Sequence, residues 1–128
     1  VDVQGVYEEY YGLSEIDGQV VAVVGTATIP APVSVDSCNV GTGGADAERY
    51  ESMLVFVQNV TVSNENPDSP DEFGEFEVDN CLRVDNELYT DLVEYPTVGT
   101  SWSAMTGVLS YSWENSKLAP RDSGDLVE

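Results

Sequence analysis

Histidine is missing from this 128-residue chain, and basic side chains number four: Arg49, Arg83, Lys117 and Arg121. Two cysteines, Cys38 and Cys81, complete the short list of scarce reactive groups. Two cysteines without histidine do not furnish an ordinary four-ligand zinc site. Their separation of 43 residues is unlike a CxxC redox motif. One disulfide closing a long loop is the simplest account, and it implies an oxidising, extracytoplasmic compartment. Two buried free thiols are the alternative. No apolar run approaches the roughly 20 residues that span a bilayer, so no membrane segment is expected. Neither an initiator Met nor a basic stretch before an apolar one is visible, so no signal peptide is read. The expectation is a mature chain or an excised piece of a longer one.

Acid dominates what is present. Twenty-four Asp and Glu against four Lys and Arg give a net charge of −20. Gripping phosphates takes Lys and Arg, so direct nucleic-acid binding is not expected. A distributed acidic surface suits salty or calcium-rich surroundings, and solvation alone also accounts for it. An apolar content of 41% agrees with a folded domain.

The organising stretch is residues 101–121, SWSAMTGVLSYSWENSKLAPR, which reads as a strand, a turn at Glu114-Asn115 and a second short strand. Met105, Val108, Tyr111 and Trp113 supply its bulk. Gly107 inside the strand pattern suggests a bulge or a barrel bend. Residues 3–16 (VQGVYEEYYGLSEI) align without a gap on residues 105–118 (MTGVLSYSWENSKL). Gly5 falls on Gly107, Val6 on Val108, Tyr11 on Trp113 and Ile16 on Leu118. The chain thus opens with what reads as the closing hairpin of one unit and ends with that of the next, and this repeat favours an excised piece.

Between these ends, residues 2–11 read as a strand, and residues 19–25 (QVVAVVG) as a strand buried on both faces. Residues 26–33, with Pro30 and Pro32, should be extended. Residues 34–44 read as a linker and 45–51 as a brief helical turn. Residues 53–63 form the best strand, with a kink or bulge at Gln58-Asn59. Leu54, Phe56, Val60 and Val62 share one parity there, and Val55 and Val57 the other. Residues 64–71 (NENPDSPD) form an acidic loop. From Gly74 the pattern alternates, with Phe76 and Val78 inward and Glu75, Glu77 and Asp79 outward. A short strand over 81–84 and a helical turn within 88–95 precede the final hairpin. The resulting divisions are N-terminal strands at 1–34, a linker at 35–50, a barrel at 51–122 and a polar tail at 123–128. The fold read from this order is all-β, a five-stranded Greek-key barrel of the OB type preceded by an extra hairpin. An immunoglobulin-like sandwich is the competitor, but it wants a Trp between the cysteines, and Trp102 and Trp113 both follow Cys81.

The runs YESMLVFVQNVTVSN, FGEFEVDN and TGVLSYSWENSKLAPR resemble OB-like domains of secreted bacterial extracellular nucleases and related multidomain surface proteins. The opening VQGVYEEYYGLSEI and the TIPAPVSV that follows resemble the end of a preceding unit and its connector. The resemblance spans about residues 3–122. It implies an accessory, non-catalytic module on a secreted or surface protein, because phosphodiesterase chemistry in such proteins belongs to a separate domain with catalytic histidine.

Four candidate features follow. Glu65, Asp68, Asp71 and Glu72 offer oxygen ligands for Ca²⁺, with Asp79, Asn80, Asp85 and Asn86 as a second cluster; a solvated loop is the alternative. Tyr7, Tyr10, Tyr11, Tyr111 and Trp113 offer an aromatic surface on which a neutral glycan stacks more readily than a nucleic acid; core or interface packing is the alternative. Carboxylate pairs for acid–base catalysis are too abundant to single one out, and the Asn59-Val60-Thr61 sequon lies inside a strand. The opening hairpin, lacking its own barrel, exposes edges that seek a protein partner, in the same chain or a neighbour. The functional expectation is an extracellular binding or assembly module; the runner-up positions substrate for an attached nuclease.

Overall fold

The structure is a computed structural model describing residues 1–92 and 95–128. It is nearly all-β, and its centre is a closed five-stranded barrel of OB-like topology. The barrel strands are β4 (Leu54–Asn64), β5 (Glu75–Val78), β6 (Leu82–Asp85), β7 (Ser101–Ser112) and β8 (Asn115–Ala119). Their order is β4-β5-β6-β8-β7, and β7 returns to β4 to close the ring. All neighbours are antiparallel except β6 and β8, which run parallel. Before the barrel come β1 (Asp2–Tyr10), β2 (Leu13–Ala22) and β3 (Val33–Ser34), with short helices α1 (Ser37–Val40) and α2 (Ala47–Tyr50); β9 (Leu126–Val127) follows it.

The long strands close the barrel by changing face midway. Val55 and Val57 are buried on one parity of β4, and Val60 and Val62 on the other. The switch occurs at Asn59, which adopts a left-handed φ of 54°. Across from it, β7 makes the same change between buried Trp102 and buried Met105. Ladder pairs continue on either side, Gln58 with Ala104 and Val60 with Trp102. One backbone irregularity in each strand therefore turns both together, and all four valines reach the core. The kink expected at Gln58-Asn59 is present, and it brings Val55 and Val57 to the same interior as Val60 and Val62. Gly107 is no bulge: its ladder to Val55 is regular. A Cβ there would lie 2.7 Å from the Ala119 carbonyl, so the glycine admits close approach of β8.

Phe76 and Val78 both point inward and are fully buried, and Phe76 stacks on Trp102 with ring centroids 5.8 Å apart. The stretch read as a linker is part of the domain. The Asp36 carboxylate accepts from the Cys38 and Asn39 amides to cap α1, and Val40 is fully buried in the barrel core. Cys38 and Cys81 form a disulfide that ties α1 to the β5–β6 hairpin, with Cα atoms 4.9 Å apart. The expected helical turn at 45–51 is α2.

Three boundaries differ from the sequence reading. The strand expected over 19–25 is instead β2, and Val20, Val21, Val23 and Val24 are all exposed; an apolar run is not buried where no second layer covers it. The final turn lies at Trp113-Glu114, because Asn115 already pairs with Ser112 as the first residue of β8. Residues 123–128 are no free tail. A 3-10 turn over Ser123–Asp125 leads into β9, which pairs Val127 with Ala104 and Leu126 with Met105. Arg121 fastens this turn: its Nε donates to Asp125 at 2.8 Å and its Nη2 at 2.7 Å. These bonds hold the Asp125 carboxyl below its ordinary value. The helical turn expected over 88–95 includes Val93 and Glu94, which lie outside the described residues.

Candidate functional site

On β5, β6 and β8 the residues alternating with the core point to the barrel's outer side: Glu75, Arg83, Asp85 and Lys117. Alternation alone predicts a solvated charged face there. Instead Glu75 is 5% exposed and Lys117 3%. The two are joined in one network. Lys117 Nζ donates to Glu75 Oε1 and, at 3.3 Å, to Asp85 Oδ2. The other Glu75 oxygen accepts from Arg83 Nη1 at 3.0 Å. Arg83 Nη1 also reaches both carboxylate oxygens of Asp68 at 2.8 Å. Burial would lower the Arg83 pKa, but its bonds to Asp68 and Glu75 hold it above the ordinary value.

A groove of about 710 Å³ opens over this network. Loop residues Asp68 and Phe73 border it on one side, and Trp113, at the β7–β8 turn, on the other. This is the barrel face formed by the second, third and fifth strands, between the loop joining the first two strands and the loop joining the last two. OB-type barrels present their ligand surface at that place. Trp113 is 88% exposed and sits at a φ of 51°, with Glu114 beside it at 62°. Left-handed φ is uncommon for a bulky residue, and here it holds the indole out from the barrel. Phe73 is exposed as well. Two bare aromatic rings thus frame a floor of paired charges.

The sequence-derived candidates fall in different places. Of the acidic loop, Asp68 is engaged by Arg83, while Glu65, Asp71 and Glu72 are exposed. The loop's shape is set by Asn66, whose side chain donates to the Asp71 carbonyl and accepts from the Asp68 amide. The second cluster is pulled apart. Asp79 and Asn80 form the β5–β6 turn, and Asp85 and Asn86 stand at the other end of β6. Asp79 is spent on structure, accepting from Ser37 Oγ at 2.7 Å and the Thr61 amide at 3.0 Å. Among the described residues no three or more His, Cys, Asp or Glu gather as a metal site.

The aromatic set divides. Trp113 joins the groove. Tyr7, Tyr10 and Tyr11 are exposed on the opening hairpin, with Tyr10 and Tyr11 edge-to-face at 4.7 Å. Tyr111 lies between these regions, its ring packed on Gly12 at that hairpin's turn. Every basic side chain of the chain is paired with carboxylate: Arg49 with Asp46, Arg83 with Asp68 and Glu75, Lys117 with Glu75 and Asp85, and Arg121 with Asp125.

No family model, curated protein or solved structure matches this chain. Sequence reasoning missed the Glu75–Lys117 network and the role of Phe73. One signal was available: a lone Lys within an acidic chain, on a strand whose neighbours in the barrel carry outward carboxylates.

Proposed function

We propose that this chain is a non-catalytic binding module of a secreted or surface protein, and that the groove between Phe73 and Trp113 takes a neutral saccharide. The observation that carries the reading is the pairing of two exposed aromatic rings with a floor on which both cations, Arg83 and Lys117, are already bonded to carboxylates. Sugar rings present apolar C–H faces that stack on aromatics, and hydroxyls that donate to accessible carboxylates of the groove such as Glu87 and Asp68. In the groove a polyanion meets only cations already bonded to carboxylate, and no favourable field at net charge −20. This weighs against the alternative reading, an accessory that grips nucleic acid for an attached nuclease.

The test is titration of the protein with a panel of uncharged oligosaccharides, followed by Trp113 fluorescence and calorimetry. Binding should weaken at least tenfold in Phe73→Ala/Trp113→Ala, each ring contributing about 1 kcal/mol, with the circular dichroism spectrum unchanged. Binding that survives the double substitution, or a single-stranded oligonucleotide that binds where saccharides do not, rejects the proposal.

A further inference from the structure

The opening hairpin β1–β2 is a structural copy of β7–β8, displaced by 102 residues. Five consecutive ladder pairs correspond. Tyr10–Leu13, Glu9–Ser14, Glu8–Glu15, Tyr7–Ile16 and Val6–Asp17 match Ser112–Asn115, Tyr111–Ser116, Ser110–Lys117, Leu109–Leu118 and Val108–Ala119. The turns correspond too, Tyr11-Gly12 with φ of 50° and 89°, Trp113-Glu114 with 51° and 62°. Even the glycine contact repeats. A Cβ on Gly107 would run into the Ala119 carbonyl and Leu118, and one on Gly5 into the Asp17 carbonyl and Ile16.

What differs is the covering. Leu109 and Leu118 are buried beneath β4, β5 and β6, whereas their counterparts Tyr7 and Ile16 are 65% and 57% exposed. Val3, the counterpart of buried Met105, is exposed likewise. A two-stranded hairpin bare on its apolar face is marginally stable in water. Neither outer edge pairs with a third strand, since β1 and β2 make a sheet of two; near the turn the Ser14 amide donates instead to Glu51 Oε1 at 2.7 Å. The charges are unresolved as well: Glu8 and Glu15 stand directly opposite one another, a destabilising pair. In the complete barrel the Glu15 position is Lys117, matched by Glu75 and Asp85.

We propose that this face is the closing hairpin of a second OB-type barrel, and that its occupant is a three-stranded meander supplied by upstream sequence of the same polypeptide. The closing ladder gives the occupant's geometry. One strand runs antiparallel along Asp2–Tyr10 as β4 runs along β7, and another runs parallel to the first half of β2 as β6 runs along β8. Its inner face is apolar, to cover Val3, Tyr7 and Ile16, and it carries Lys or Arg opposite Glu8 and Glu15. The order along the chain favours one polypeptide over two. Hairpin, extended connector and a complete barrel ending in its own hairpin form the succession of a tandem array. A second copy's hairpin is a poor occupant, because it brings the same acidic pair.

The experiment compares the polypeptide isolated from its natural source with the 128-residue chain. Amides of β1 and β2 should exchange with deuterium at least tenfold slower in the natural polypeptide. Ile16→Asp should lower the melting temperature of the first barrel there and leave the 128-residue chain unchanged. A natural polypeptide that begins at Val1, equal exchange in both proteins, or protection in the 128-residue chain that grows with its concentration overturns the proposal; the last points to self-association. Saccharide binding at Trp113 is read separately, so either result leaves the groove assignment intact.

Discussion

At the scale of single residues, Lys117 is the side chain on which most depends. Its ammonium is buried between Glu75 and Asp85, and burial of either carboxylate without it is costly. Lys117→Met keeps an unbranched stem of nearly the same length and deletes the ammonium. It should destabilise the barrel by about 3–5 kcal/mol, the usual consequence of breaking a buried pair, measured by guanidinium chloride unfolding. A loss under about 1 kcal/mol would mean the network is solvated, and the floor of the groove would lose its fixed shape. The same residue shows where reading the sequence stops. Alternation placed Glu75 outward, correctly, and equated outward with solvated, incorrectly. Whether an outward position is solvated depends on partners distant in sequence and invisible to periodicity, here Asp68 of the 64–74 loop on Arg83, and Lys117 between Glu75 and Asp85.

At the scale of elements, local patterns carried most of the fold. β5 was legible from strict alternation, the β4 kink from Gln58-Asn59 interrupting a run of valines, and the hairpin pair from self-alignment. Elements held by tertiary partners were not. β2 was misplaced because Val20–Val24 looks like a buried strand and is not, and β9 was taken for tail because Leu126 and Val127 are too few to show a period. β9 is held by its ladder to β7 and by the turn before it, where Arg121 grips Asp125. Asp125→Asn should therefore cost about 1–2 kcal/mol at neutral pH, after discounting for the half-exposed arginine, and speed exchange at the Leu126 amide. The sign with pH follows from the depressed carboxyl. Its contribution is fully present above the unfolded-state value of about 3.9, and is lost as pH falls through the lower folded-state value. Unfolding free energies of wild type and variant should thus differ by a constant amount down to about pH 5 and converge below pH 4. A gap that stays open in acid would assign the stability to packing of the turn.

At the scale of the whole molecule, charge sets the response to solvent. Twenty excess negative charges are confined in a fold whose radius of gyration, for a compact chain of this length, is about 14 Å, against about 37 Å when unfolded. Self-repulsion therefore favours unfolding, and neutral salt should relieve it as the screening length falls from about 30 Å at 0.01 M to about 8 Å at 0.15 M. Salt also weakens ion pairs, but the pairs here respond unequally. Arg49–Asp46 is exposed, 3.9 Å long and worth little, while Lys117, Glu75 and Asp85 are shielded from ions by burial. Repulsion thus loses more than attraction. Sodium chloride should raise the melting temperature, by roughly 3–5 °C for each kcal/mol relieved in a chain of this size, most of it below 0.2 M. Calorimetric melting across a sodium chloride series checks this. A flat or falling series would mean that exposed pairs outweigh the net charge, and Lys117→Met, with one more negative charge, should then respond to salt no more steeply than wild type.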